Sequence, residues 1–87
     1  ICAAPMVLGG LGILRGRRAT CSPGFEKYLD GAACTSELCT VDGDIITGKG
    51  PAATLPYAYT ILEKFTNTVT MRTIARKMQY LQLIGEE

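Results

Sequence analysis

The sequence predicts an α/β protein. Three observations carry that class: apolar residues recur at helical spacing in three stretches, a hairpin signature sits mid-chain, and a further strand-like run lies between the first helix and the hairpin. The order is helix, strand, hairpin, helix, helix, which supplies few strands to cover the helices. At 87 residues the chain is one small domain with a limited core.

The elements follow in order. Residues 3–14 predict a helix, with Pro5 suited to a first turn and Met6, Val7, Leu11 and Leu14 on one face. Gly9, Gly10 and Gly12 weaken that helix, so close packing against another backbone is their expected use. "RGRR" is a basic turn, "RATC" a buried strand ended by "SPG", and "FEKYLDGA" a short helical turn stopped at Gly31. "CTVDGDIITG" predicts a hairpin, two strand-like runs around Asp42-Gly43. Pro51 opens a second helix through about Phe65, with Leu55, Ala58, Ile61, Leu62 and Phe65 on its apolar face. Residues 69–83 predict a third, striped by Met71, Ile74, Met78 and Leu81, with Arg72, Arg76 and Lys77 on its solvated side.

Composition narrows the function classes. Hydrophobic residues make up 47% and charged residues 20%, which fits a folded globular chain. A net charge of +1 gives no field to recruit nucleic acid or an anionic membrane. The apolar run at residues 1–14 is too short to span a bilayer and has no basic segment before it. No initiator methionine is present, so translation is expected to have started upstream of Ile1. Four cysteines without a single histidine, and with only Cys34 and Cys39 closely spaced, favour reduced cytosolic thiols over staples or zinc; no metal or other cofactor is expected.

Two motif-like runs fail on chemistry. "GDIITGKG" has Gly43, Gly48 and Lys49 in phosphate-loop spacing, but Gly50 stands where a hydroxyl should bind magnesium and the "DIIT" spacer is strand-like. "GGLG" has Arg15 where a dinucleotide fingerprint needs its third glycine. The absence of histidine excludes a Ser-His-Asp site. Cys2 remains. It reads either as a small buried hydrophobe or as a nucleophile on a sharp strand-to-helix turn, where Ala3 and Ala4 leave room for crowded backbone. A helix starting just after it would set the positive helix end beside the sulfur, the setting in which thiolates form most readily.

Taken together, "ICAAPMVLGGLGILRGRRAT", "CSPGFEKYL" and "VDGDIITGKGPAATLPYAYTILE" resemble the ThiJ/PfpI family, the superfamily of the Parkinson-disease-associated deglycase and chaperone, from Ile1 to about Glu63. The resemblance implies a flavodoxin-like three-layer sandwich with a mainly parallel sheet. It makes residues 1–87 the C-terminal segment of one such domain, with the N-terminal half absent. It makes Cys2 the elbow nucleophile, with Ala3, Ser22, Gly50 and Pro51 as pocket or supporting residues. It implies a cytoplasmic enzyme acting on small reactive carbonyls or glycation adducts, or else a redox sensor or holdase, completed by its other half or by a second copy in a homo-oligomer. Ala3 stands where the protease-like branch has histidine, which disfavours peptidase activity, and Ser22 stands where the deglycase-like branch often has histidine.

Overall fold

The computed structural model describes residues 1–86. They divide into two compact units, Ile1–Tyr57 and the residues from Ala58 onward.

The first unit opens with α1, Pro5–Gly10. It is six residues long rather than the twelve expected over 3–14, because the glycines stop it. Gly12 takes φ +76°, its N–H donating to Gly9 C=O at 3.1 Å and the Ile13 N–H to Leu8 C=O at 3.1 Å, the paired bonds of a left-handed helix terminator. The expected apolar face is likewise corrected: Leu14 is buried beyond the helix, whereas Met6, Val7 and Leu11 are exposed. Gly9 does pack against backbone, and a Cβ there would overlap the Tyr28 carbonyl oxygen.

Strand β1, Arg18–Ala19, pairs in parallel with β2, Ala33–Cys34, in the register Arg18↔Ala33 and Ala19↔Cys34. A 3₁₀ turn at Glu26–Tyr28 lies on the connection. The hairpin is β3, Cys39–Asp42, and β4, Ile45–Gly48, antiparallel from Cys39↔Gly48 to Asp42↔Ile45. Its two-residue loop is therefore Gly43-Asp44, one residue later than the Asp42-Gly43 centre expected. Gly43 takes φ +61° at the first loop position, the place a tight hairpin turn reserves for glycine. Leu14, Ala19, Cys21 and Leu29 form the core, with Leu8, Phe25, Ala32 and Ile45 packed on them. Three threonines, Thr20, Thr40 and Thr47, are buried beside it.

A 3₁₀ turn at Pro51–Ala53 leads into α2, Thr54–Phe65, so Pro51 opens a 3₁₀ turn before the helix proper. The later turns of α2 belong to the second unit, with α3, Thr68–Lys77, and α4, Tyr80–Leu83. The single helix expected over 69–83 is broken at Gln79, which takes φ +60°. Asn67 caps α3 by accepting the Thr70 N–H at 2.7 Å. The second core is Tyr59, Ala75 and Leu81, surrounded by Leu62, Met71, Ile74 and Tyr80. Tyr59, absent from the expected face, is its centre: its ring lies 4.7 Å from that of Tyr80. Leu55, Ala58, Phe65 and Met78 are exposed instead; the buried side of α2 is at Tyr59 with Leu62 beside it, and Met78 sits at the break after α3. Arg72 reaches Glu86 at 3.0 Å, while Arg76 and Lys77 are exposed.

Candidate functional site

Cys2 is held in the left-handed region, with φ +63°. A side chain there crowds its own backbone, and such residues persist only where surrounding structure over-determines them. Two distant segments do so. The Cys2 N–H donates to Gly48 C=O at 3.0 Å, and the Cys2 C=O accepts the Ser22 N–H at 2.8 Å. The chain then turns tightly, the Ala4 N–H donating to Ile1 C=O at 3.1 Å and the Met6 N–H to Ala3 C=O at 3.0 Å, and enters α1 at Pro5.

Gly48 is glycine for a reason of space. A Cβ there would lie 2.8 Å from Ile1 Cγ1 and 3.0 Å from Tyr57 Cδ1, so any side chain would push on Ile1, the residue before Cys2, and on Tyr57. Cys2 and Ala3 are half-buried. Among the described residues nothing accepts from the Ala3 N–H. An amide at the residue after a nucleophile, free to donate, is the position from which elbow sites stabilise a developing oxyanion.

Of the residues singled out from sequence, Ser22 is brought to Cys2 by its backbone amide. Gly50 follows Gly48 by two residues, so no more than roughly 7 Å of chain separates it from the carbonyl that Cys2 bonds. Gly50 is extended, and its carbonyl accepts the Ala53 N–H at 2.8 Å; Pro51, next to it, is exposed. The spacer of the phosphate-loop-like run is strand β4, so its amides form no cradle. Sequence reasoning missed Gly48, noticed only as part of that run, and missed Thr47 and Thr20. The available signal was a β-branched strand ending in glycine.

The other thiols differ in setting. Cys21 is buried, and burial first, then Glu26 and Cys34, pushes its thiol pKa up. Cys34 is exposed and Cys39 half-buried. All four cysteines are free. Asp42 accepts the Arg18 N–H at 2.8 Å and the Arg17 guanidinium at 3.4 Å, and these hold its carboxyl below the usual carboxylate range. Among the described residues no group of His, Cys, Asp and Glu could hold a metal ion. Nor is any helix among them long and apolar enough to cross a membrane.

The sequence profile of the DJ-1/PfpI family matches residues 1–64. The chain belongs to the DJ-1/PfpI family. It is 38% identical to "Protein DJ-1 homolog B" of Arabidopsis thaliana over 74% of this chain and 15% of that protein. It is 35% identical to "Protein DJ-1alpha" of Drosophila melanogaster over 90% of this chain and 37% of that one. "Isonitrile hydratase" of Pseudomonas putida is 28% identical over 92% of this chain and 36% of the relative. A crystal structure of a cysteine-to-alanine mutant of a DJ-1 superfamily protein from Salmonella typhimurium superposes with a TM-score of 0.80. Its sequence identity is 28%, and the match covers 88% of this chain and 43% of that one. The mixed architecture, a parallel strand pair beside an antiparallel hairpin, is that of this family over the part matched. The chain thus spans 15% and 37% of the two DJ-1 relatives' own lengths.

Proposed function

We propose that Cys2 is the nucleophile of a cysteine-dependent enzyme acting on small reactive carbonyls, such as a glyoxal or an early glycation adduct. The observation that carries this reading is the backbone at Cys2, strained at φ +63° and pinned at both its N–H and its C=O. Strain of this kind presents a side chain at the top of a turn, where a substrate can reach it.

With a 2-oxoaldehyde the chemistry runs in three stages. The sulfur adds to the aldehyde carbon; the carbonyl π pair moves to oxygen, which takes the thiol proton, and the Ala3 N–H supports the developing charge. Hydrogen then transfers, as proton and electron pair together, from the hemithioacetal carbon to the adjacent carbonyl carbon, whose oxygen takes up the hemithioacetal hydroxyl proton. That leaves a thioester of a 2-hydroxy acid. Water cleaves the thioester and returns the thiol, so aldehyde plus water becomes hydroxy acid. The Pseudomonas relative's name places hydration of another carbon electrophile in the same family, which supports thiol addition followed by water as the shared logic.

In this reading residues 1–87 are the C-terminal segment of one domain in a cytoplasmic protein. Its remaining strands, or a second copy, would set a carboxylic acid against the sulfur and cover the exposed Met6, Val7 and Leu11. The test is loss of methylglyoxal by the protein as its own gene encodes it, beside Cys2→Ser. Turnover that vanishes in the serine variant is expected; equal turnover in both would remove Cys2 from the reaction.

A further inference from the structure

The two bonds that pin Cys2 come from different segments: Gly48 ends β4, and Ser22 lies just past β1. If those segments could slide past one another, Cys2 would be free to relax toward negative φ and turn its side chain away. What fixes their relation therefore fixes the thiol.

The bonds between them are made by side chains. The N–H groups of Arg18, Thr20 and Ser22 alternate along one edge, as strand geometry dictates. Their acceptors are Asp42 Oδ2 at 2.8 Å, Thr47 Oγ1 at 3.0 Å and the Cys2 C=O at 2.8 Å. Among the described residues no backbone-to-backbone bond joins residues 18–22 to strands β3 and β4. The link nearest the elbow is thus the Thr47 hydroxyl. Thr47 precedes Gly48 in the chain, and Thr20 precedes Ser22 by two residues. Both threonines are buried, at 2% and 1% exposure, so water cannot replace the bond if it is lost. Thr20 is itself braced from the other side, its hydroxyl donating to Thr35 C=O at 3.3 Å while the Thr35 and Thr40 hydroxyls meet at 2.5 Å.

We infer that Thr47 is a positioning residue for Cys2, its hydroxyl locking β4 to the β1 edge so that Gly48 and Ser22 hold the cysteine backbone in its left-handed conformation. The role rests on reading Cys2 as the elbow thiol, but it is a claim about the thiol's placement and not about turnover. Valine keeps the shape of threonine and removes the acceptor, whereas serine keeps the acceptor and removes the methyl. The readout is the rate of iodoacetamide alkylation at Cys2 in the protein as its gene encodes it, with exposed Cys34 as internal reference in the same molecules.

Thr47→Val is expected to slow Cys2 up to about tenfold, the ratio that loss of one buried hydrogen bond makes, while Cys34 is unchanged. Thr47→Ser is expected to restore the Cys2 rate. A Cys2 rate in Thr47→Val within twofold of wild type overturns the inference, and so does an equal change at Cys34, which would report general loosening. If the valine variant does not fold, the serine variant decides alone: a wild-type Cys2 rate supports the hydroxyl, and a tenfold loss shows that the methyl was what mattered. Failure of the carbonyl-enzyme reading appears separately, as methylglyoxal turnover that survives Cys2→Ser.

Discussion

Among the described residues two other than glycine hold positive φ, and they do so for different reasons: Cys2 at +63° and Gln79 at +60°. Gln79 fills the position just past the end of α3, the slot that Gly12 fills after α1 and Gly85 after α4. Its partners are local. The Gln79 N–H donates to Arg76 C=O at 3.0 Å and its Nε2 to Lys77 C=O at 2.8 Å. The same dihedral at Cys2 is imposed from far away in sequence, by Gly48 and Ser22. A helix terminator explains the first; at the second a local bond, Ala4 N–H to Ile1 C=O, is joined by two that come from distant segments. The difference teaches where to look for chemistry, because strain that distant segments maintain serves more than the path of the chain.

The two units around these residues differ in the same way. Beside its small apolar core the first unit carries buried hydroxyls and side-chain bonds that tie separate strands. The second is a cluster of aromatic and aliphatic side chains on short, locally bonded helices. Removing the ring at the centre of that cluster should be the largest single loss. Tyr59→Ala is expected to cost about 3–4 kcal/mol in denaturant unfolding, the range for deleting a buried aromatic. The alkylation rate at Cys2, measured on the folded fraction, should stay within about twofold, since none of the bonds that pin Cys2 involves a residue of that cluster.

Next in size is a change that strikes the first unit. Gly9→Ala drives a methyl into the Tyr28 carbonyl and to 2.9 Å from Leu29 Cα, both backbone and unable to yield cheaply. A loss of about 2–3 kcal/mol is expected from overpacking, read as a lower denaturation midpoint at constant slope. Here Cys2 reactivity should change too, since α1 follows directly from the elbow. Unchanged reactivity would weaken the contrast between the units.

How much of this was legible follows from which forces were local. The hairpin could be read from Asp42-Gly43, because turn chemistry acts over a few residues, although its loop lies one residue later. The sharp turn at Cys2 could be read from its small neighbours and the proline that follows. The strand Ala33–Cys34 could not, since two residues of partly exposed backbone are defined only by pairing with Arg18–Ala19. Tyr59 was passed over because spacing alone does not set the phase of a helix face; its stacking on Tyr80 does. The break at Gln79 was invisible because glutamine signals no stop. Nor do threonines announce that they will be buried as acceptors for a neighbouring strand.

Gln79 offers a smaller test with opposite sign. Gln79→Gly should stabilise by about 0.5–1 kcal/mol, since a side chain in the left-handed region costs roughly 1–2 kcal/mol and only one side-chain hydrogen bond is given up. A thermal melt reads it directly, and destabilisation would show that the strain there is not merely tolerated.

The smallest effect is a pH dependence. The Arg18 amide, with Arg17 beside it, lowers the Asp42 carboxyl, so its contribution to stability is fully present above the unfolded value, about 3.9. It is lost as pH falls through the lower folded value. Melting temperatures of wild type and Asp42→Asn should therefore converge as the solution is acidified below that range, the wild type being the higher near neutrality. A constant gap at all pH values would show that the Asp42 contact contributes nothing through its charge.

The central claim is that backbone imposed on Cys2 from two distant segments makes it the functional thiol of this chain. Limiting iodoacetamide on the native protein, followed by peptide mass spectrometry, tests it most directly, because accessibility and placement make different forecasts. Exposure alone favours Cys34, and burial protects Cys21. The account predicts that Cys2, though half-buried, is modified first and by a wide margin. Modification led by Cys34, or spread evenly over the four thiols, would contradict it.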